Sequence, residues 1–172
     1  MEPSLWRWTL NANATPAEMM AYLDAAFAAQ AERREVPFVT VERTSGRAIG
    51  STRYLNIDPH HRRLEIGYTW ISPAWQGTAA NSEAKLLQLT DAFYRLGALR
   101  VEFKTDSLNE KSRNALLGVG ASFEGIFRNH MLTDSGRRRH SAYYSVIEEE
   151  WPLVRQHLAD RVARLTAAAA AG

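Results

Sequence analysis

Along the chain, apolar positions alternate with period two in some stretches and recur near period 3.6 in others, and the switches between the two mark the elements. The longest such passage runs from Leu64 to Leu96. Ile66, Tyr68, Trp70 and Ile71 are β-branched or aromatic and predict a strand. Pro73, with no amide hydrogen, ends its ladder. Gly77 to Asn81 supplies small side chains, and Ser82 to about Leu96 reads as a helix closed by Gly97, with Ala84, Leu87, Ala92 and Phe93 as expected inward positions. A strand that turns into a helix in this way aims several backbone amides, with the positive end of the helix dipole, at one point. That point attracts phosphate.

Upstream, Thr15-Pro16-Ala17-Glu18 forms a capping box with proline at the first helical position, predicting a helix from Pro16 to about Arg33 with Met19, Met20, Leu23 and Phe27 facing the core. Pro37 to Arg43 and Ala48 to Ile57 are strand-like around the turn Thr44-Ser45-Gly46-Arg47 and predict an antiparallel hairpin, followed by a loop from Asp58 to Arg63. Downstream, Leu99 to Thr105 is the next strand, so that strand, helix and strand form a crossover to a parallel neighbour. A second helix runs from Asn109 to Val119 and stops at Gly120. Ser122 to Leu132 and Arg138 to Ile147 flank Asp134-Ser135-Gly136 as a last hairpin, and Glu148 to Pro152 opens a terminal helix to Leu165. The alanine tail from Thr166 to Gly172 is expected to be disordered.

A length of 172 residues with 45% apolar positions suits one domain, here residues 1–165. The formal charge of +2 is too small to imply nucleic acid, and no DNA partner is expected. With no cysteine, the chain has no disulfide, thiolate metal site or cysteine nucleophile. No stretch approaches the ~18 consecutive apolar residues of a membrane span, so a soluble, cytoplasmic protein without a membrane partner is expected. His60, His61, His130, His140 and His157 show no metal-ligand spacing, and Gly-x-Ser-x-Gly is absent. Arg137-Arg138-Arg139-His140 is a basic turn, either solvated or in contact with an acidic substrate, an outer phosphate or RNA.

The turn after the first strand resembles the acetyl-CoA loop of the GNAT superfamily of N-acetyltransferases, which reads Gln or Arg, two residues, Gly, one residue, Gly or Ala. Gln76 matches, while Ala79 and Asn81 stand where the family has small glycine-like residues. Ser82 to Leu87, Asn109 to Leu116 and Gly120 to Gly125 are similar, in order and spacing, to the RimJ/RimL-type branch, and the likeness extends from about Trp6 to Pro152. The resemblance implies an α/β (α+β) fold: a mixed, mostly antiparallel sheet with helices on both faces and a central parallel pair that splays apart. It also implies acetyl-CoA as co-substrate and a primary amine as acceptor, either a protein N-terminus or a small molecule. The amine would attack directly in a ternary complex; a CoA-binding sensor or RNA-associated module is the alternative. Carried over, pantetheine contacts fall on the backbone of Trp70, Ile71 and Ser72, and pyrophosphate contacts on Gln76, Gly77, Thr78, Ala79, Ala80 and Asn81. Asn109 would lie beside the pantetheine and Ser112 near the sulfur. The family's usual first strand and helix have no counterpart before Trp6, so an exposed sheet edge, covered by the N-terminal segment or by a homodimer partner, is expected.

Two strand carboxylates are candidate proton acceptors. Glu65 and Glu102 fall on neighbouring strands if the crossover holds, and burial would raise either pKa toward that of a useful base. The plainer reading pairs them with Arg100, Lys104 or Arg53. Glu65 has the opposite parity to Tyr68 and Trp70, so the strand can aim all three at one pocket only through a bulge. Asn109 is a natural helix N-cap, and Ser112 lies one turn further on the same face.

Overall fold

The computed structural model describes residues 3–8 and 15–171. After a single tight turn at Pro3–Trp6, helix α1 (Pro16–Ala31) leads to strands β1 (Val36–Val41), β2 (Ala48–Asp58) and β3 (Arg63–Ile71). Helix α2 (Ala80–Thr90), strand β4 (Arg100–Asp106), helix α3 (Glu110–Val119), strands β5 (Ser122–Leu132) and β6 (Arg138–Ile147) and helix α4 (Trp151–Ala171) complete the chain. The strands form one six-stranded sheet in the order β1-β2-β3-β4-β6-β5. Every neighbouring pair is antiparallel except β3 and β4. The expected mixed sheet is therefore present, and β1 is one of its edges.

The two sheet faces are told apart by adjacent residues of β2. Tyr54 donates its hydroxyl to the Gln88 carbonyl of α2 at 2.6 Å, whereas the Arg53 guanidinium stacks 4.3 Å from the ring of Tyr22 on α1. Consecutive strand residues point to opposite faces, so α1 and α2 lie on opposite sides. Helices α2, α3 and α4 share one face, where Leu89, Leu116, Val119, Val154 and Leu158 pack on Leu64, Ile66, Val101, Phe103 and Val146. Trp151 closes this core by stacking on Phe93, with centroids 5.2 Å apart.

Three sequence expectations are corrected. In α1 the buried positions are Ala26 and Ala29, while Met20 and Phe27 are exposed, because small side chains let the helix lie close to the sheet. In α2, Lys85, Gln88 and Leu89 point inward and Leu87 is exposed; a π-helical turn at Asp91–Arg95 then changes the phase so that Ala92 and Phe93 are buried as well. The terminal helix does not stop at Leu165 but runs through the alanines to Ala171, as the high helix propensity of alanine favours. The caps agree with expectation: Thr15 and Glu18 form the capping box, and Gly120 ends α3 at a φ of 95°.

Candidate active site

The parallel ladder between β3 and β4 is short: it comprises Arg63↔Arg100, Leu64↔Val101 and Glu65↔Glu102. Beyond Glu65, β3 continues to Ile71 paired only with β2; beyond Glu102, β4 continues to Asp106 paired only with β6. Among the described residues their facing edges, from Ile66 and Phe103 onward, lack strand partners and diverge. The cause lies in β3. Tyr68 takes a left-handed φ of 51°, and the register with β2 steps from Ser51↔Trp70 to Arg53↔Gly67, which inserts one extra residue. Such a bulge bends its strand.

This bulge is anchored from both faces. On one, the Arg53 guanidinium lies between the Tyr22 and Tyr68 rings, 4.3 Å from each, and is paired with Glu35 at 2.8 Å. On the other, buried Lys85 donates to Thr69 and Thr52 at 2.9 and 3.2 Å and to Gln88 at 3.0 Å. Desolvation lowers the Lys85 pKa to about 7. The bulge also resets the alternation. Leu64 and Ile66 join the core under α2, which leaves Glu65 on the α1 face; Thr69 meets α2, so Tyr68 and Trp70 share the face of Glu65. The parity conflict noted in the sequence is thereby removed.

At the wide end of the gap the turn leading into α2 presents backbone amides. Gly77 has a φ of 79°, a conformation that glycine adopts without strain. Ala79 is right-handed at φ −64° and ψ −21°, so alanine stands there without strain. Among the described residues, none accepts a hydrogen bond from the amides of Gly77, Thr78, Ala79, Asn81 or Ser82, whereas Ala80 donates at 3.3 Å to the Thr78 hydroxyl. Five such donors at a helix start form an anion cradle. Arg161 of α4 adds a positive charge there, donating to the Ser82 hydroxyl at 3.1 Å.

Gln76, where the loop resemblance begins, is engaged within the protein. Its side-chain amide donates to the Ile71 carbonyl at 2.8 Å, its side-chain oxygen accepts from Lys111 of α3, and its own backbone amide is bonded to Pro73. It braces the end of β3 against α3, with no polar hydrogen pointed at the cradle by these bonds. Asn109 is the N-cap of α3, its oxygen accepting the Ser112 amide at 3.1 Å. Its side-chain nitrogen is left for a ligand. Among the described residues the half-buried Ser112 hydroxyl has no partner.

On the α1 face the two carboxylates differ. Glu65 is 3% exposed, and its Oε2 accepts from Asn56 at 2.9 Å and Lys104 at 3.3 Å. Among the described residues its Oε1 accepts no hydrogen bond. Glu102 is instead held by arginines, accepting from Arg100 at 2.8 Å with Arg63 at 3.7 Å. Both line a cleft of about 720 Å³ with Asn56, Asp58, Glu124 and Tyr143. Burial pushes the Tyr143 hydroxyl pKa up, reinforced by the charges of Glu65 and Glu102. Burial and then Lys104 and Arg139 push His130 down, favouring the neutral imidazole.

Glu65 and Glu102 are thus brought side by side, and Trp70 to Ser72, Gly77 to Asn81 and α3 surround the diverging edges. Sequence reading missed Asn56, Lys85, Tyr143 and Arg161, and offered Lys104 only as a plain partner for the two carboxylates, the place it takes beside Glu65. Lys104 and Tyr143 face one another across β4 and β6, a register that no local pattern announces.

Residues 1–122 match the family described as the acetyltransferase (GNAT) domain. The chain is 29% identical over 117 residues to an uncharacterized N-acetyltransferase, YoaA, of Bacillus subtilis (strain 168), the match spanning 68% of this chain and 65% of YoaA. It superposes on a GCN5-related N-acetyltransferase from Brucella melitensis with a TM-score of 0.85 at 32% identity, over 92% of this chain and 70% of that one. It shares its fold with Mycobacterium smegmatis RimJ, solved in complex with CoA-disulfide, at a TM-score of 0.72 and 22% identity over 87% of this chain and 70% of that one.

Proposed function

Since the chain belongs to the acetyltransferase (GNAT) domain family, we propose that it is an acetyl-CoA-dependent N-acetyltransferase of the RimJ/RimL-like branch acting on a primary amine. The acceptor is a protein N-terminal α-amine or a small molecule. One observation carries this reading: the unpaired edges of β3 and β4 open between the amide cradle at the start of α2 and the buried carboxylate of Glu65 on the α1 face. The residues fit the co-substrate. Unpartnered donors stand where a diphosphate would bind, and the Trp70 indole nitrogen is buried without an acceptor.

When bound, acetyl-CoA supplies an acetyl group already activated as a thioester. The backbone of Trp70, Ile71 and Ser72 would hold the pantetheine arm through groups other than the Ser72 amide, bonded to the Ile49 carbonyl, and the Ile71 carbonyl, bonded to Gln76; the amides of Gly77, Thr78, Ala79, Asn81 and Ser82 would hold the diphosphate, assisted by Arg161. Glu65 accepts a proton from the acceptor ammonium through its open Oε1, while Asn56 fixes Oε2. Glu102, engaged by two arginines, sets the local field and orients Arg63 and Arg100. The Ser112 hydroxyl, on the first turn of α3, donates to the departing sulfur. With no cysteine in the chain, direct attack is the simplest route.

Calorimetric titration with acetyl-CoA and CoA, followed by thiol release across an amine panel, tests the proposal. Binding at about 1–100 μM with amine-dependent thiol release is expected. No binding at millimolar acetyl-CoA removes the transferase reading. Binding without thiol release supports the rival, a CoA-binding module without catalysis.

A further inference from the structure

Arg139 of β6 is 7% exposed, yet among the described residues its guanidinium makes neither an ion pair nor a hydrogen bond, and its Nε is buried without an acceptor. The acid that acts most on its charge is already engaged: Asp106 pairs with Arg137 through Oδ2 at 2.5 Å and accepts the Leu108 amide through Oδ1 at 3.0 Å. Isolated buried charge is expensive, and proteins keep it where a counter-charge arrives to complete it.

Its place in the fold says where that counter-charge would come from. On β6, Ala142, Tyr144 and Val146 belong to the core, so Ser141, Tyr143 and, by the same alternation, Arg139 face the α1 side. Ser141 stands opposite Asp106 and Tyr143 opposite Lys104, which places Arg139 just beyond the last residue of β4, at the wide end of the gap. Glu65 and Tyr143 lie close enough to act on its charge, and Arg139 in turn acts on His130. The face that holds the candidate proton acceptor thus also holds an unclaimed guanidinium.

We propose that Arg139 binds a carboxylate of the acceptor, so that the preferred substrates are amines that also carry a negative group. The ammonium end meets Glu65 and the anionic end meets Arg139. One unpaired guanidinium balances one negative charge, which fits a carboxylate better than a phosphate dianion on a face already carrying Glu65 and Glu102. The planar fork of arginine suits a carboxylate in bidentate contact. This inference rests on the acetyl-transfer reading of the same site, and two sources share the chemistry: free amino-acid-like molecules and acidic peptides.

The test compares kcat/KM by thiol release for matched acceptors. One arm uses ω-amino carboxylates from glycine to 6-aminohexanoate against their carboxamides. The other uses C-terminally amidated peptides with aspartate against asparagine at the second position. In at least one arm the carboxylate is expected to win by about tenfold or more, each bidentate charge-assisted contact amounting to at least that factor; the responding arm identifies the source. Arg139→Met is expected to bring the ratio within about threefold of one, and Arg139→Lys to leave it between the two. A wild-type ratio near one in both arms, or a preference that survives Arg139→Met, overturns the proposal. If Arg139→Met does not fold, the wild-type ratio and Arg139→Lys decide. If no acceptor releases thiol, the transferase reading fails separately, and calorimetry of the same pairs decides this one: tighter binding of the carboxylates, weakened in Arg139→Lys and lost in Arg139→Met, upholds it, and equal affinities overturn it.

Discussion

Replacing Lys85 by methionine removes a buried ammonium whose acceptors, Thr52, Thr69 and Gln88, are all neutral. Desolvation lowers its pKa from 10.5 to about 7. A lysine whose folded pKa is depressed binds fewer protons when folded than when unfolded between those two values. Stability therefore rises with pH from about 7 toward 10.5, and below 7 the full penalty of the buried charge is present. At 1.36 kcal/mol per unit, the slope approaches about 1.4 kcal/mol per pH unit, and the gain between pH 7 and 9 is about 2 kcal/mol. Urea unfolding of wild type and Lys85→Met at pH 7, 8 and 9 isolates this contribution, because the tyrosines and other titrating groups are common to both. The stability of wild type relative to the variant should rise by about 2 kcal/mol over that range. A difference constant within about 0.5 kcal/mol would show that Lys85 keeps its ordinary pKa, and the description of this side chain as a dry brace under the bulge would be wrong.

Gly50→Ala places a Cβ 2.5 Å from the Trp70 carbonyl oxygen and 2.6 Å from Ile71 Cδ1, so β3 must move. A loss of about 3 kcal/mol in urea unfolding and at least tenfold weaker acetyl-CoA binding by calorimetry are expected. Glu65→Gln should lower kcat by about 100-fold while changing acetyl-CoA affinity less than about threefold; Glu102→Gln, whose parent carboxylate is engaged by two arginines, should lower kcat by less than about tenfold. Equal effects of the two substitutions in steady-state assays would remove the distinction drawn between them. Arg53→Met leaves Glu35 without its partner and uncouples α1 from the bulge, and is expected to destabilise the fold by about 3 kcal/mol in urea unfolding.

Much of the framework could be read locally. The Thr15 capping box, the glycine stops at Gly97 and Gly120 and the proline after β3 are short-range signals, and each marks an element end in the structure. The strand, turn and helix that build the amide cradle were legible for the same reason. What escaped depends on phase and register. The positive φ at Tyr68 carries no sequence signature, yet it decides that Glu65, Tyr68 and Trp70 share a face. The π turn at Asp91–Arg95 reconciles a helix that buries Lys85 and Leu89 with one that buries Ala92 and Phe93, which a uniform 3.6-residue period cannot do. The residues allowed Lys104 to pair with either strand carboxylate; register decides that it meets Glu65, across 39 positions of sequence. Arg139 read as one member of a basic turn, and only the alternation along β6 separates its buried side chain from exposed Arg138.

Hydrogen exchange of the backbone with and without acetyl-CoA tests the central claim most directly. Slowed exchange is expected at the α2 start, where the amides of Gly77, Thr78, Ala79, Asn81 and Ser82 have no acceptor among the described residues, and at those amides of β3 from Ile66 to Ile71 that face the gap and not β2. Unchanged exchange at both segments under saturating acetyl-CoA, or protection centred elsewhere, would contradict it.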